Sequence, residues 1–312
     1  MPMRRILVTG SGGFVGQHLL PALQAAFPEV HVRGTASDVT DAGAVEAEVA
    51  AACPDAQVHL AAVAAIPAAR QDPHRAWQVN LHGTLNVARA VQAAAPGCVL
   101  LFASTSDLYG ASFRAGMAVA EDGGVAPINT SGATKAAADL ALGAMAAEGL
   151  RAIRVRPFNH TGPGQSPAFV VASFARQVAR VAAGLQPPVL DVGALEPERD
   201  MLDVRDVCAA YALCLRHADA LAPGTVLNVC SGQSRRVGTV LQDLMAAAGI
   251  EAEVRTDAGR LRPTDIARAA GDASLARRVL GWAPAIPWAD TLRDVLADWQ
   301  KRIHAEPPGA TP

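Results

Sequence analysis

Lysine is almost missing from this 312-residue chain: Lys135 and Lys301 stand against 25 arginines, which makes the lysine at 135 conspicuous. Charge of one sign is missing too. The net charge of -2 gives no electrostatic case for nucleic acid or an acidic membrane surface as a partner. The five cysteines, Cys53, Cys98, Cys208, Cys214 and Cys230, are odd in number and lack paired metal-ligand spacing, so no metal site is expected. Four of them lie in apolar surroundings and read as small core residues, which fits a cytoplasmic protein. No apolar run approaches membrane-spanning length; the stretch 136–147 is short and broken by Asp139. Residues 1–5 lead straight into an apolar strand, so no signal peptide is expected. No internal repeat is visible. Hydrophobic residues make up 51% of the chain, enough for one large domain or two intimately joined ones.

The stretch that organises the rest is 6–16, I-L-V-T-G-S-G-G-F-V-G. Ile6, Leu7 and Val8 form the short apolar run of a buried parallel strand. Gly10, Gly13 and Gly16 follow at three-residue spacing, and from Phe14 the apolar residues recur at helical intervals. Strand, glycine turn and helix start together form a dinucleotide cradle. Gly10 permits the turn, Gly13 lets a pyrophosphate approach the positive end of the helix, and Gly16 lets that helix pack close to the sheet.

Further strands are expected at 30–35, 57–62, 98–103, 151–156 and 225–230, and helices at 42–52, 73–95, 131–148, 169–183, 204–217 and 237–248. The second strand ends in Arg33, where dinucleotide folds often carry an acid for the adenosine ribose; an arginine there can pair with a 2'-phosphate instead, which favours NADP(H) over NAD(H). Asp38 is a candidate for the adenine edge and Asp41 a helix cap. His59 lies in an apolar strand and reads as a core histidine. The fourth strand runs into Ser104, Thr105, Ser106 and Asp107, hydroxyls and a carboxylate at the sheet edge where ligands bind. Ser131 and Lys135 are four apart and share a helical face. Residues 157–165 read as a loop, 195–206 as a charged stretch with Asp203 capping the next helix, 260–265 as a basic turn, and 306–312 as a disordered tail.

Several motifs stand in family order: T-G-x-x-G-x-x-G at 9–16, H-L-A-A at 59–62, V-N-x-x-G-T-x-N at 79–86, Ser106 to Gly110, R-P-F-N at 156–159 and G-W-x-P at 281–284. Together they resemble the extended short-chain dehydrogenase/reductase family of nucleotide-sugar enzymes, the NAD-dependent epimerase/dehydratase group, over nearly the whole chain. Within it, F-N-H-T-G-P-G-Q at 158–165 and R-D-M-L-D-V-R-D-V at 199–207 are similar to the GDP-4-keto-6-deoxy-D-mannose reductases, which make GDP-D-rhamnose. The resemblance implies an α/β fold: a Rossmann-like doubly wound parallel sheet with a smaller carboxyl-terminal substrate domain. The first unit is expected to cover 1–160 plus about 200–230, and the second 161–199 plus about 231–305.

It also implies hydride transfer from a nicotinamide to C4 of a keto sugar. Cofactor contacts are expected at Gly10, Gly13, Phe14, Val15, Arg33, Asp38, Val39, Leu60, Ala61, Ala62, Lys135 and Pro157. Asn159, His160, Arg199 and Arg262 are expected to face a GDP-linked sugar. Thr105 takes the carbonyl-polarising position, and Lys135 matches the family lysine. Homodimers form in this family through the two helices that here contain Asn80 and Lys135. Trp282 reads as core.

The departure is at residue 131. The family's Y-x-x-x-K reads S-G-A-T-K, so Ser131 stands where the proton-donating tyrosine is expected. An aliphatic hydroxyl is a far weaker acid than a phenol, which titrates near about 10, and its side chain is shorter. The other tyrosines, Tyr109 and Tyr211, have no lysine four residues on. Four readings stay open: proton relay by another group, with Asp107 and His160 nearest by motif position; a site widened for another substrate or reaction, such as a 4,6-dehydratase or epimerase; a substitution that holds a complex; or nucleotide-sugar binding without turnover.

Overall fold

The computed structural model describes residues 3–261 and 266–305. Its first half alternates strand and helix: β1 (Arg5–Thr9), α1 (Phe14–Ala26), β2 (His31–Gly34), α2 (Ala42–Ala52), β3 (Ala56–His59), α3 (Ile66–Gln71), α4 (Pro73–Trp77), α5 (Thr84–Ala94), β4 (Val99–Ala103), α6 (Thr130–Ala147) and β5 (Ala152–Pro157). There follow β6 (Asn159–Thr161), α7 (Val170–Ala182), β7 (Val189–Val192), β8 (Glu198–Asp203), α8 (Val204–Arg216), β9 (Thr225–Val229), β10 (Ser234–Arg236), α9 (Val237–Ala248), β11 (Glu253–Thr256), β12 (Arg268–Ala269), α10 (Ser274–Leu280) and α11 (Trp288–His304).

Six strands form one parallel sheet in the order β2-β1-β3-β4-β5-β9. The order reverses between β1 and β3, and in such sheets the crevice beyond the carboxyl ends at that reversal holds the ligand. Alternation along β4 shows how both faces are covered. Leu100 and Phe102 face a layer of α2, α5 and α6 that includes Val45, Val49, Val87, Val91 and Leu142. Val99 and Leu101 face the opposite layer, with Leu19 and Leu23 of α1 and Val207 and Tyr211 of α8. Burying each such side chain contributes about 1.5–3 kcal/mol. A third apolar cluster joins α7, α9 and α11 over β7, through Phe174, Val178, Leu190, Leu244, Val295 and Trp299.

Three segments differ from the sequence expectation. The helix expected at 73–95 is interrupted by a π turn at Gln78–Gly83, between α4 and α5. At this turn Asn80 sends its amide to both backbone groups of Val63 and to the Thr134 hydroxyl, while Gly83 packs on Val39. The loop expected at 157–165 contains β6, and the charged stretch 195–206 contains β8; the two pair in parallel, and β8 also carries β10 and β12. Trp282 is core, with its indole N–H on the Asp206 carbonyl. Arg262 and most of the basic turn at 260–265 lie outside the described residues, as does the tail from 306. Among the described residues, no helix is long and apolar enough to cross a membrane, and no group of three or more His, Cys, Asp or Glu could hold a metal ion.

Candidate active site

The glycine turn follows from its backbone. Gly10 has φ +67°, and a Cβ there would lie 2.7 Å from the Ala61 nitrogen. The turn therefore sits directly on Leu60 and Ala61, whose N–H groups both donate to Thr9 Oγ1 at 3.2 Å. Gly13 is the N-cap of α1 and provides no side-chain cap, and no acid lies in the first turn, so the positive helix end is left for a ligand. A Cβ on Gly12 would meet nothing within 4 Å. These features fit a dinucleotide pyrophosphate. Gly16 lets the helix close on the turn, where a Cβ would lie 2.4 Å from the Ser11 carbonyl oxygen.

Phe14, the first helical residue, stacks on the His160 ring at 6.2 Å and 9°, which brings β6 against the turn. Val15 accepts from Cys208 Sγ through its carbonyl. Pro157 ends β5 and Asn159 begins β6, where its backbone pairs with Met201.

At the β2 end, Arg33 donates to Glu48 Oε1 at 3.1 Å. Asp38 pairs with Arg75 at 3.1 Å and accepts from the Thr40 N–H and hydroxyl, the bonds that chiefly hold its carboxyl below the ordinary value. Val39 is buried, and its carbonyl accepts from Asn86. His59 is the core histidine expected. It is fully buried between the hydroxyls of Thr9 and Thr84, and burial drives its pKa down to about 3.

The catalytic candidates converge on the β4 end. Asn129 caps α6, and the Ser131 hydroxyl donates to the Ala64 carbonyl at 3.4 Å, just past the expected Leu60–Ala62 contacts. One turn on, Lys135 is buried, with Nζ 4.6 Å from the Phe102 ring centre and 2.6 Å from the Ala103 carbonyl oxygen. Burial pulls its pKa down to about 7 against the partial support of Asp139. Thr105 Oγ1 accepts the Asp107 N–H at 3.1 Å, and Gly132 packs against the Asp107 backbone, so 105–107 and the α6 start are in contact. Arg199 of β8 is held by its own neighbour's carbonyl; burial disfavours its charge, and the Asp107 carboxylate offsets this only in part.

The two tyrosines cannot replace the one expected at 131. Tyr109 lies in the core, its hydroxyl donating to Asn228 and accepting from Arg156, and burial pushes its pKa to about 12. Tyr211 is buried in the α8 layer, and burial raises its pKa. His160 Nδ1 is tied to the Phe158 carbonyl, and burial disfavours its charged form. Two important groups escaped the sequence reading. Glu48 reaches the β2 end from α2, and Asp139 of α6 receives Arg154 and Arg156; neither has a local motif to announce it.

The sequence profile of the NAD dependent epimerase/dehydratase family matches residues 6–230. The chain is 38% identical over 310 residues to the GDP-6-deoxy-D-mannose reductase of Pseudomonas aeruginosa, covering 97% of this chain and 99% of that protein. The solved structure of RMD from Pseudomonas aeruginosa complexed with NADPH superposes with a TM-score of 0.86 at 36% identity, over 96% of this chain and 99% of that one. The UDP-glucose 4-epimerase of Thermus thermophilus in complex with NAD superposes with a TM-score of 0.82 at 28% identity, over 98% of this chain and 100% of that one.

Proposed function

The chain belongs to the NAD-dependent epimerase/dehydratase family, and from that premise we propose that it is a nucleotide-sugar reductase. It reduces the C4 keto group of a GDP-linked 4-keto-6-deoxyhexose with NADPH, as in the conversion of GDP-4-keto-6-deoxy-D-mannose to GDP-D-rhamnose. The observation that carries this reading is the buried Lys135 ammonium at the carboxyl end of β4, on the same edge as the uncapped α1 turn.

The nicotinamide supplies the hydride when bound. Gly10, Gly13, Phe14 and Val15 would receive the pyrophosphate, Arg33, Asp38 and Val39 the adenosine, and Leu60, Ala61, Ala62 and Pro157 the remaining length. Thr105 Oγ1 already accepts the Asp107 N–H, which leaves its hydrogen to polarise the sugar carbonyl. Lys135 Nζ, with a pKa of about 7, holds a proton it can release near neutrality. Ser131 Oγ, one turn earlier on the same face, passes that proton to the C4 carbonyl oxygen, directly or through water, as the hydride adds to the carbon. Asn159, His160 and Arg199 would receive the sugar nucleotide, and the apolar cluster of α7, α9 and α11 would form the core of the substrate domain.

The protein is read as a cytoplasmic homodimer without nucleic-acid or membrane partners. The exposed apolar residues Trp77 on α4 and Leu140 on α6 suit the expected helix-to-helix contact.

The test pairs the protein with its Ser131→Tyr variant, NADPH and GDP-4-keto-6-deoxy-D-mannose, following nicotinamide oxidation and the sugar product. Slow turnover that rises roughly 100- to 10,000-fold in the variant is expected, the range of general acid catalysis. No turnover by either, with cofactor still bound, would overturn the reductase reading. A 4,6-dehydratase, for which Thr105 and Asp107 are the groups to examine, or a binding role without turnover would then take its place.

A further inference from the structure

Glu48 lies in a setting built for an anion. Its Oε1 accepts from Arg33 Nη1 at 3.1 Å and from the Ala36 N–H at 3.2 Å. Its Oε2 accepts from the Ser37 N–H at 3.1 Å and the Ser37 hydroxyl at 2.7 Å. Two backbone N–H groups, one hydroxyl and one guanidinium thus converge on one carboxylate. Burial works against its ionisation, but the bonds from Ser37, Ala36 and Arg33 outweigh it and hold the carboxyl below its ordinary value.

All four donors come from residues 33–37, at and just beyond the carboxyl end of β2. In doubly wound sheets this strand end faces the adenosine ribose, and an arginine there accommodates the 2'-phosphate of NADP. The neighbouring acid does not compete for them, since Asp38 is paired with Arg75. Gly34 keeps the approach from the glycine turn short: a Cβ there would lie 2.1 Å from Ser11 Oγ. The donors that suit a phosphate are therefore committed to an internal carboxylate.

We propose that Glu48 selects between the two nicotinamide cofactors by occupying the 2'-phosphate subsite. NADH, which has no 2'-phosphate, leaves the carboxylate in place on its four donors. NADPH must displace it, so that the phosphate takes Arg33, Ala36 N–H, Ser37 N–H and the Ser37 hydroxyl. The Glu48 side chain is 13% exposed, and on this proposal it turns outward as the phosphate binds. Affinity for NADPH is then the outcome of an exchange of two anions over one set of donors, which holds the preference for it below what Arg33 alone would give. The proposal rests on the reading of the glycine turn as an NADP(H) site.

The experiment measures dissociation constants for NADPH and NADH by fluorescence titration, without sugar substrate. It compares the parent protein, Glu48→Gln and Glu48→Ala, with 2',5'-ADP and ADP as competitors to isolate the phosphate. Glutamine keeps the length and one acceptor oxygen, so the 33–37 segment retains a brace. The expected result is NADPH and 2',5'-ADP binding tightened roughly tenfold or more in Glu48→Gln, about the worth of one charge-assisted hydrogen bond, with NADH and ADP changed less than about twofold. Parallel changes for both cofactors in both variants, or none, would overturn the proposal and leave Glu48 a brace for the loop. Failure of parent and variants to bind either cofactor, with thermal unfolding still cooperative, would overturn the cofactor-site reading beneath it.

Discussion

Lys135 Nζ donates a 2.6 Å hydrogen bond to the carbonyl oxygen of Ala103, the last residue of β4. The bond places the ammonium at the carboxyl edge of the sheet, against the Phe102 ring and away from bulk water. With its pKa near 7, Lys135 is divided between acid and amine at neutral pH, which an exposed lysine is not.

If Lys135 supplies the proton, reduction requires its charged form. The rate constant kcat/KM with NADPH should therefore hold below about pH 7 and fall as pH rises through it. A pH–rate profile checks this. In Ser131→Tyr the phenol takes over the donation, so the descending limb should move to higher pH. A profile flat from pH 6 to 9 in the parent would remove Lys135 as the acid.

The same group tilts stability. In the unfolded chain a lysine keeps its proton up to about pH 10.4, whereas folded Lys135 loses it near 7. Between those values the unfolded state binds the extra proton, so this residue's contribution to stability rises with pH across that window. Lys135→Met should flatten the slope of unfolding free energy against pH between about 7 and 10, as measured by urea titration.

Two glycines in one turn should respond differently. Gly10→Ala forces φ +67° on a residue with a Cβ and drives that Cβ to 2.7 Å from the Ala61 nitrogen. A loss of roughly 1–3 kcal/mol in unfolding free energy is expected, together with loss of cofactor binding. Gly12→Ala meets no neighbour, so its Tm should match the parent. If the turn is the pyrophosphate cradle proposed above, its NADPH affinity should fall, because the added methyl projects into the open space beside Gly13. Calorimetry and cofactor titration on both variants separate the two effects.

What was legible in the sequence was local. The glycine turn, the Asp41 and Asp203 caps, and the Ser131–Lys135 pair all announce themselves within a few residues, and the structure has each cap in place. β8 was not legible because its polar residues are satisfied from far along the chain. Asp200 is fully buried, yet it accepts from the Ser231 N–H and hydroxyl and from the Gly232 N–H. A strand whose buried face carries charge breaks the apolar alternation that marks strands. Glu48 escaped for a similar reason. It lies 15 residues beyond Arg33, and only the return of α2 along β2 brings the two together.

His59 predicts an acid limit. It is neutral in the fold, with a pKa of about 3, against about 6.5 when unfolded. Below 6.5 the unfolded state gains a proton that the folded state refuses, so stability falls as pH drops from 6.5 toward 3. His59→Gln, which keeps a hydrogen-bonding group between Thr9 and Thr84, should weaken that fall. Tm measured from pH 7 down to 4 in parent and variant gives the comparison.

Asp139 anchors a buried charge cluster. Its carboxylate accepts from Arg154 Nη1 at 3.0 Å and from Arg156 Nη2 and Nε at 2.8 and 3.2 Å. Arg156 in turn donates to the Tyr109 hydroxyl and the Glu121 carbonyl. Asp139→Ala leaves the Arg156 guanidinium buried without its counter-ion, a change that costs about 3–5 kcal/mol. Arg154 has a partial escape through the Gly224 carbonyl and its greater exposure. The cost should therefore fall mainly on Arg156, and the double variant Asp139→Leu with Arg156→Met should lose less stability than Asp139→Ala alone. Because α6 carries Asp139 one turn beyond Lys135, the single variant should also lower the Lys135 pKa by removing the charge that partly supports its ammonium. Urea unfolding measures the first effect, and a downward shift of the pH–rate limb measures the second. An Asp139→Ala variant as stable as the parent would show that the cluster is not what holds β5 to α6.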